Sequence, residues 1–375
     1  MYQETKQILQ ENFIDRLTLH KTTQDIYLDN NLFDIAKFRN EVYQKHRTLL
    51  KNDKYIYELA YLYAENNTFS PIEDYLNKCI AAHLDIDYQQ IFRDLNEKVL
   101  HIDSASIEGA YLPKTLVGAV KRIFEPGCQF CTVLIIKGKQ GYFKTSLFRE
   151  LAGKDYFDTI NLSFNKDDLM ICHSKWILEL GECEEALKPY TMSKLKAFIT
   201  KQNDTYRKPY DKNPLTVPRQ FILVGTTNKD EFLVDETGNR RFWCIKLNEK
   251  IDIEWVKENK DLIWAAAVKA YRDNYPVYLN ETEEELSNAR NIKYQQSDIW
   301  QTTIENWLFE QTEPFTLADV LTNAIGKEAK FLKKNDKDRV SNILLQLECQ
   351  KPTKTTRVNG KPGKYWTKLE VGVTN

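Results

Sequence analysis

The sequence feature that most constrains the fold is the segment TVLIIKGKQGYFKTS at residues 132–146. An apolar, β-branched run ends at Gly138, a glycine-containing turn follows, and Lys144 and Thr145 begin a segment with helical character. In this order of strand, turn and helix, backbone N–H groups and the positive end of the helix face a phosphate anion. The segment therefore predicts a nucleotide-binding loop in an α/β fold. The loop residues are Gly138, Lys139, Gln140, Gly141, Tyr142, Phe143, Lys144, Thr145 and Ser146.

The loop departs from the phosphate-binding motif at one position. The motif G-x-x-x-x-G-K-[ST] has glycine directly before the lysine, where this chain has Phe143. Glycine is preferred there because the backbone passes close to the phosphates in a conformation that a side chain disfavours. In the nucleotide-binding interpretation Gly141 takes over part of that duty, Lys144 reaches the β- and γ-phosphates, and Thr145 holds Mg²⁺. The alternative is an ordinary buried strand and turn that happens to contain Lys-Thr.

Composition describes a globular protein with room for two or three domains. The chain has 375 residues, of which 42% are hydrophobic and 29% charged. No apolar run approaches the roughly 20 residues that a membrane span needs. The seven cysteines are odd in number and scattered, which suits reduced thiols rather than a disulfide framework. We therefore expect a cytoplasmic protein with no membrane segment.

The net charge of −1 conceals two basic stretches. Residues 194–219 contain seven basic and two acidic residues, and residues 327–368 contain twelve basic and four acidic residues. Charge concentrated in two places on a nearly neutral chain favours local contact with a polyanion over long-range attraction.

Two further predicted strands end in polar residues that suit a Mg²⁺-nucleotide site. The strand at 175–180 contains Glu179 and is followed by Glu182, and the strand at 220–228 ends at Asn228. One carboxylate would serve the water shell of the metal and the other would orient or deprotonate the attacking water, while the amide senses the γ-phosphate. Exposed acids at a strand end, without a metal role, are the alternative.

Two adjacent arginines, Arg240 and Arg241, precede another predicted strand at 242–247. Arginines at a loop edge suit an arginine finger, which a neighbouring subunit supplies to stabilise charge on a transferring phosphoryl group. A structural pair bound to Asp235 or Glu236 is the alternative.

A basic helix and loop are the first candidate DNA contacts. The predicted helix at 193–201 is basic and amphipathic, and residues 203–214 interleave tyrosines with basic residues between turn-forming residues. Such a loop would contact a nucleic-acid backbone and stack on bases, whereas a solvated loop explains the charges alone. The candidate residues are Lys196, Lys201, Tyr206, Arg207, Lys208 and Tyr210.

The chain divides into three predicted parts. Residues 1–105 have helical spacing and few glycines, which predicts a helical accessory region, and residues 106–290 form the predicted ATPase domain. Residues 298–375 predict a winged helix, with three short helices and a hairpin whose strands lie at 354–358 and 365–369. Winged helices bind DNA or serve as protein-interaction modules. The candidate DNA contacts there are Arg339, Lys354, Arg357 and Lys361.

Two capping-box pairs mark predicted helix starts. Asn280 is followed three residues later by Glu283, and Thr316 is followed three residues later by Asp319. Helices are therefore expected to begin directly after Asn280 and Thr316.

Together these motifs resemble those of the virulence-associated protein E family of phage and mobile-element proteins, which is related to superfamily 3 helicases. The resemblance runs from about residue 69 to residue 279 and depends on the order and spacing of several short motifs. They are FSPI at 69–72, GKQGYFKT at 138–145, ELGE at 179–182, LKAFIT at 195–200, DTYRKPY at 204–210, GTTN at 225–228 and TGNRRFW at 237–243.

The resemblance implies an AAA+-type P-loop ATPase that uses ATP and Mg²⁺. It implies a ring, expected to be a homohexamer, that acts on single-stranded or forked DNA as a helicase, translocase or replication initiator of a mobile element, with replication proteins of the element or host as further partners. The carried-over roles are Lys144 and Thr145 as phosphate-loop residues, Thr145 and Glu179 at Mg²⁺, Glu182 at the attacking water, Asn228 as sensor and Arg240 or Arg241 as finger. No priming activity is expected. The rival is a non-hydrolysing DNA-binding initiator or repressor with a degenerate nucleotide site, for which Phe143 is the best support.

Overall fold

The structure, a computed structural model, describes residues 2–161, 166–181, 183–207, 214–233, 239–295, 299–328, 330, 333–347, 349–358 and 360–368. The chain separates into two units, Met1–Gln295 and Gln296–Asn375. The first hundred residues contain α1 (Tyr2–Asn12), β1 (Leu17–His20), β2 (Ile26–Leu28), β3 (Asn31–Leu32), α2 (Ile35–His46), α3 (Asp53–Ala64), β4 (Thr68–Phe69), α4 (Pro71–Ala82) and α5 (Tyr88–Asp94).

A small sheet accompanies the helices of this N-terminal region. Its four strands lie in the order β3-β2-β1-β4 and contain two to four residues each. The helical spacing of residues 1–105 predicts a helical accessory region and gives no sign of this sheet. Strands this short give no readable alternation of apolar and polar residues, which is the signal a strand leaves in a sequence.

The rest of the first unit alternates strands and helices. Its elements are α6 (Ile107–Phe124), β5 (Val133–Lys137), α7 (Lys144–Ala152), β6 (Phe157–Ile160), α8 (Lys166–His173), β7 (Ile177–Leu180), α9 (Cys183–Ala186), α10 (Pro189–Ile199), β8 (Asn203–Tyr206), β9 (Leu215–Pro218), β10 (Ile222–Thr227), β11 (Phe242–Lys246), α11 (Ile253–Arg272) and α12 (Glu281–Asn291). The helix predicted to start after Asn280 is confirmed, and its capping box with Glu283 is formed.

Five of these strands form a parallel sheet in the order β11-β5-β10-β7-β6. All five residues of β5 are buried, as expected for a central strand of a parallel sheet that is covered on both faces. Because the strands are parallel, the carboxyl ends of β5, β7 and β10 meet at one edge. In open α/β sheets, ligands bind in the crevice at this edge, where successive connections leave in opposite directions.

Each face of the sheet carries its own apolar core. On one face, Leu134 and Ile136 of β5 pack with residues of α6, α7 and α11. On the other face, Val133 and Ile135 pack with residues of α8 and α10. This division between the two faces follows from the period of two in a β-strand. The sheet is therefore a rigid layer that fixes the loops at its carboxyl edge.

The second unit combines helices with two short strand pairs. Its elements are α13 (Ile299–Phe309), α14 (Leu317–Asp319), α15 (Lys334–Gln346), β12 (Cys349–Gln350), β13 (Thr356–Val358), β14 (Lys361–Gly363) and β15 (Thr367–Lys368). The helix start predicted after Thr316 is confirmed, with its capping box to Asp319.

The predicted hairpin of the second unit is wrong in register. β13 pairs with β14, which lies inside the predicted turn, and β15 pairs instead with β12. The two strands pair through Val358↔Lys361, and Gly360, with φ of +78°, has the left-handed conformation that tight hairpin turns use. Residues 359–363 contain two glycines and a proline, so the sequence predicts a turn across all five.

Candidate functional site

The loop between β5 and α7 lies at the carboxyl edge of the sheet. Its backbone is held to the neighbouring strand by a hydrogen bond from Gly138 N to Thr227 O at 3.1 Å. Gly141 has φ of +80° and open space around its Cα hydrogens. A cleft of about 460 Å³ opens here and is lined by residues 140–146 and 226–228. The predicted loop residues therefore surround a cavity together with the end of β10.

Lys144 reaches back across this loop. Its Nζ donates hydrogen bonds to Gly138 O at 2.7 Å, to Lys139 O at 3.0 Å and to Asn228 Oδ1 at 2.7 Å. The side chain is largely buried, with 8% of the residue exposed. The lysine of α7 and the asparagine after β10 thus lie in direct contact, although 84 residues separate them in the sequence.

Glu179 is held by hydroxyl groups. Thr145 Oγ1 donates to Glu179 Oε1 at 2.8 Å, Thr159 Oγ1 donates to Oε2 at 3.3 Å, and Thr226 Oγ1 also donates to Oε1. The carboxylate is buried, with 3% exposed, yet it has three donors. Buried carboxylates need such partners, so the hydroxyl groups fix the position of this one.

Two of these threonines were not predicted. Thr226 lies in β10 next to β7, and the register Val224↔Glu179 places both strands side by side near Glu179. Thr226 shares the alternation of Val224, so its side chain faces the same side of the sheet as α7. The GTTN segment carried this signal, but the sequence alone does not reveal which strands are neighbours.

Phe143 has a backbone conformation that glycine adopts more readily than other residues. It is the residue before α7, with φ of 61° and ψ of 23°, in the left-handed region. For a residue with a side chain this region costs roughly 1–2 kcal/mol. The residue is 43% exposed and lines the cleft. The residue before Lys144 therefore has a conformation that favours glycine, and an aromatic ring lines the cleft.

The predicted arginines lie on the other edge of the sheet. Arg240 and Arg241 precede β11, which runs parallel to β5 with Phe242 opposite Val133. The five residues of β11 separate them from the carboxyl edge by about 16 Å. The two arginines therefore do not join Lys144 at the cleft of their own chain. Arg241 Nε is buried and lacks a hydrogen-bond partner within the part of the chain that the structure describes. Glu182, and the alternative partners Asp235 and Glu236, lie outside the described residues.

The candidate DNA residues of the first unit differ in exposure. Arg207 and Lys201 are exposed, and Lys196 is half-buried on α10. Tyr206 is only 3% exposed, its ring centroid lies 5.5 Å from that of His173, and burial raises its pKa to about 12. The prediction that Tyr206 stacks on bases is therefore wrong, because the ring packs inside the protein. Lys208 and Tyr210 lie outside the described residues.

In the second unit, Lys354 and Arg357 are exposed. Arg339 instead packs over the ring of Trp300, with its guanidinium carbon 4.0 Å from the ring centroid. The side chain of Lys361 lies outside the described residues. Lys354 and Arg357 are thus the candidates of this unit whose side chains are described and exposed.

No helix within the described ranges is both long and apolar enough to cross a membrane. No curated protein matches the chain. Among solved structures, similar ones include three apo structures of the C-terminal region of NrS-1. They are 10–12% identical, have TM-scores of 0.47–0.48, and cover 97% of this chain and 97–98% of theirs. A likeness at this level carries no inference about function.

The sequence profile described as the virulence-associated protein E-like domain matches residues 76–296. The matched range includes the loop after β5, Glu179, Asn228 and both arginines. Because the match spans more than half of the chain, this protein belongs to the virulence-associated protein E-like family.

Proposed function

We propose that this protein is an ATP-dependent motor or initiator that acts on DNA during replication of a phage or mobile genetic element. The observation that carries the proposal is the convergence of Lys144, Thr145, Glu179 and Asn228 at the carboxyl edge of one parallel sheet. Three separate chain segments contribute these side chains. Their types are those that bind and hydrolyse a nucleoside triphosphate.

The loop would bind the phosphates through its backbone N–H groups and the N-terminus of α7. Lys144 would leave Gly138 O and Lys139 O, since a triphosphate offers this ammonium group anionic partners instead of neutral carbonyls. Asn228 contacts the lysine, and in this proposal it would respond to the terminal phosphate. In this proposal the cleft is a P-loop site of AAA+ type.

The oxygens of Thr145 and Glu179 fit Mg²⁺, which prefers hard oxygen ligands and keeps several of its waters. They lie 2.8 Å apart in a shared hydrogen bond, so the ion would take the place of this contact. A bound Mg²⁺ would neutralise charge on the phosphates. We propose Glu182 as the residue that orients the attacking water, by its place three residues after Glu179.

The position of the arginines favours self-association. Arg240 and Arg241 lie at the edge of the sheet opposite to the cleft, so a role in catalysis requires that they serve a neighbouring copy. A ring of copies, a hexamer by family resemblance, satisfies this requirement. The proposed DNA contacts are Arg207 with Lys208 in the first unit, and Lys354 with Arg357 in a second unit that we propose to be a winged helix.

One observation favours a second function. The Phe143 ring stands at the cleft, in the place of the glycine that lets phosphates approach the backbone. A protein that binds DNA as an initiator or repressor, without hydrolysing ATP, would tolerate this residue.

Steady-state ATP hydrolysis, with and without single-stranded DNA, separates the two functions. The motor predicts turnover that DNA stimulates and that Lys144→Ala abolishes. Lys269→Ala is the matched control, because this lysine of α11 pairs with Asp273 on the surface, and its loss is expected to leave turnover unchanged. Wild-type turnover no higher than that of Lys144→Ala, with DNA binding intact, would support the non-hydrolysing function.

A further inference from the structure

A cluster of buried polar and charged side chains lies at the amino-terminal edge of the sheet, away from the cleft. Asp204 belongs to β8, Arg219 follows β9, and His173 ends α8. Their exposed fractions are 1%, 2% and 1%. Placing charges in the interior is costly unless each one is paired and hydrogen-bonded.

The pairing is extensive. Arg219 holds both carboxylate oxygens of Asp204, with Nε to Oδ2 at 2.6 Å and Nη2 to Oδ1 at 2.8 Å. Its Nη1 donates to Phe198 O at 2.5 Å, and His173 Nε2 lies 3.2 Å from Asp204 Oδ2. Burial alone would raise the pKa of the Asp204 carboxyl, but the hydrogen bonds from His173 and Arg219 lower it to about 2. The carboxylate is therefore ionised in the folded protein.

This cluster fixes the base of a hairpin. β8 and β9 are antiparallel strands of four residues each, and Asp204 pairs with Val217 inside them. Arg219 N donates to Gln202 O at 2.9 Å, and the Tyr206 ring packs beside His173. An isolated two-stranded hairpin is at best marginally stable in water. Contacts at its base join it to the rest of the protein, since Asp204 lies against His173 of α8 and Arg219 donates to Phe198 O of α10.

One residue that we propose as a DNA contact directly follows the first strand of this hairpin. Arg207 comes after Tyr206, the last residue of β8, and is exposed. A buried ion pair is a weak source of net stability, since apolar residues of similar size are often equally good. What a bidentate Arg–carboxylate pair does provide is a defined geometry, here for the two strands of the hairpin and for the contacts that join them to α8 and α10.

We propose that Asp204 is a positioning residue for DNA binding. Through Arg219 and His173 it holds the β8–β9 hairpin so that Arg207 meets the phosphates of single-stranded DNA. Asp204 itself touches no DNA. This inference rests on the proposed DNA-binding function and adds to it the side chain that sets the geometry of the contact.

The test is a double-mutant cycle on the full-length chain. Binding of a fluorescein-labelled oligothymidylate is measured by anisotropy over a series of salt concentrations for wild type, Asp204→Asn, Arg207→Ala and the double variant. We expect each single variant to weaken binding at least fivefold and to reduce the salt dependence. If both act through the same contact, the double variant is no weaker than the stronger single variant.

Two controls keep the experiment decisive if Asp204→Asn fails to fold. His173→Gln removes the weaker contact and leaves the Arg219 clamp intact, so it should fold and weaken DNA binding in the same direction. Asp273→Asn removes a surface partner of Lys269 and should leave DNA binding unchanged.

Additive losses in the double variant, or wild-type DNA affinity in folded Asp204→Asn or His173→Gln, would overturn the positioning role while the DNA-binding function stands. A wild-type protein that does not bind the oligonucleotide would overturn the proposed function, and the positioning role with it.

Discussion

Replacing Phe143 tests whether the ring, rather than the loop backbone, limits nucleotide binding. The residue already has the left-handed conformation that glycine adopts freely, so Phe143→Gly requires no rearrangement of the loop. It removes a ring that lines the cleft. We predict that Phe143→Gly binds a slowly hydrolysed ATP analogue at least tenfold more tightly than wild type.

The effect on stability follows from exposure and backbone strain. With 43% of the residue exposed, about 110 Å² of a ring of roughly 200 Å² is covered, which corresponds to at most about 3 kcal/mol. Phe143→Ala should therefore lower the free energy of unfolding by about 2–3 kcal/mol. Phe143→Gly should lower it by about 1 kcal/mol less, because glycine has no left-handed strain.

Calorimetric titration gives the affinities, and urea unfolding gives the stabilities. Phe143→Ala is the matched control, since it removes the ring and keeps Cβ. Higher affinity for the analogue in both variants identifies the ring as the obstacle. Higher affinity in Phe143→Gly alone identifies Cβ as the obstacle. Unchanged affinity in both variants, with wild-type fold, would refute the reasoning.

Three further predictions concern the carboxylates and the arginines. Thr226→Val removes a hydrogen-bond donor from buried Glu179. It should lower ATP turnover at least tenfold and raise the Mg²⁺ concentration needed for half-maximal rate. An unchanged Mg²⁺ dependence would contradict this role. Arg240→Ala and Arg241→Ala should bind ATP like wild type but lose turnover. Mixing either variant with Lys144→Ala should restore part of the turnover. Loss of ATP binding would instead indicate a structural pair. Asp204 has a pKa of about 2, below its ordinary value near 3.8, so its contribution of about 2 kcal/mol is complete above pH 5 and is lost as pH falls from about 4 towards 2. Acid unfolding of Asp204→Asn, followed by circular dichroism, should therefore be less steep in that range, and identical profiles would contradict the assignment.

The cleft was predictable because its signals are local. The strand before Gly138, the lysine in the first turn of α7, and the polar residues that end β7 and β10 are each readable from a short window. Parallel strands then bring such ends together at one edge. The contact between Lys144 and Asn228 agrees with the prediction that the loop and the end of this strand lie together.

Other features depend on tertiary neighbours that a sequence does not reveal. Thr159 and Thr226 reach Glu179 only because β6 and β10 flank β7. Tyr206 looked like a base-stacking residue beside Arg207, but alternation in β8 turns its ring towards His173. The strands of the N-terminal sheet are too short to leave a pattern.

The most direct test of the central claim is a structure of the protein with Mg²⁺ and a slowly hydrolysed ATP analogue. We predict that the triphosphate lies in the cleft at the carboxyl edge of the sheet, with Lys144 on its phosphates instead of on Gly138 O and Lys139 O, and with Thr145 and Glu179 beside the metal. An analogue bound elsewhere, with Lys144 still on its own loop, would contradict the claim.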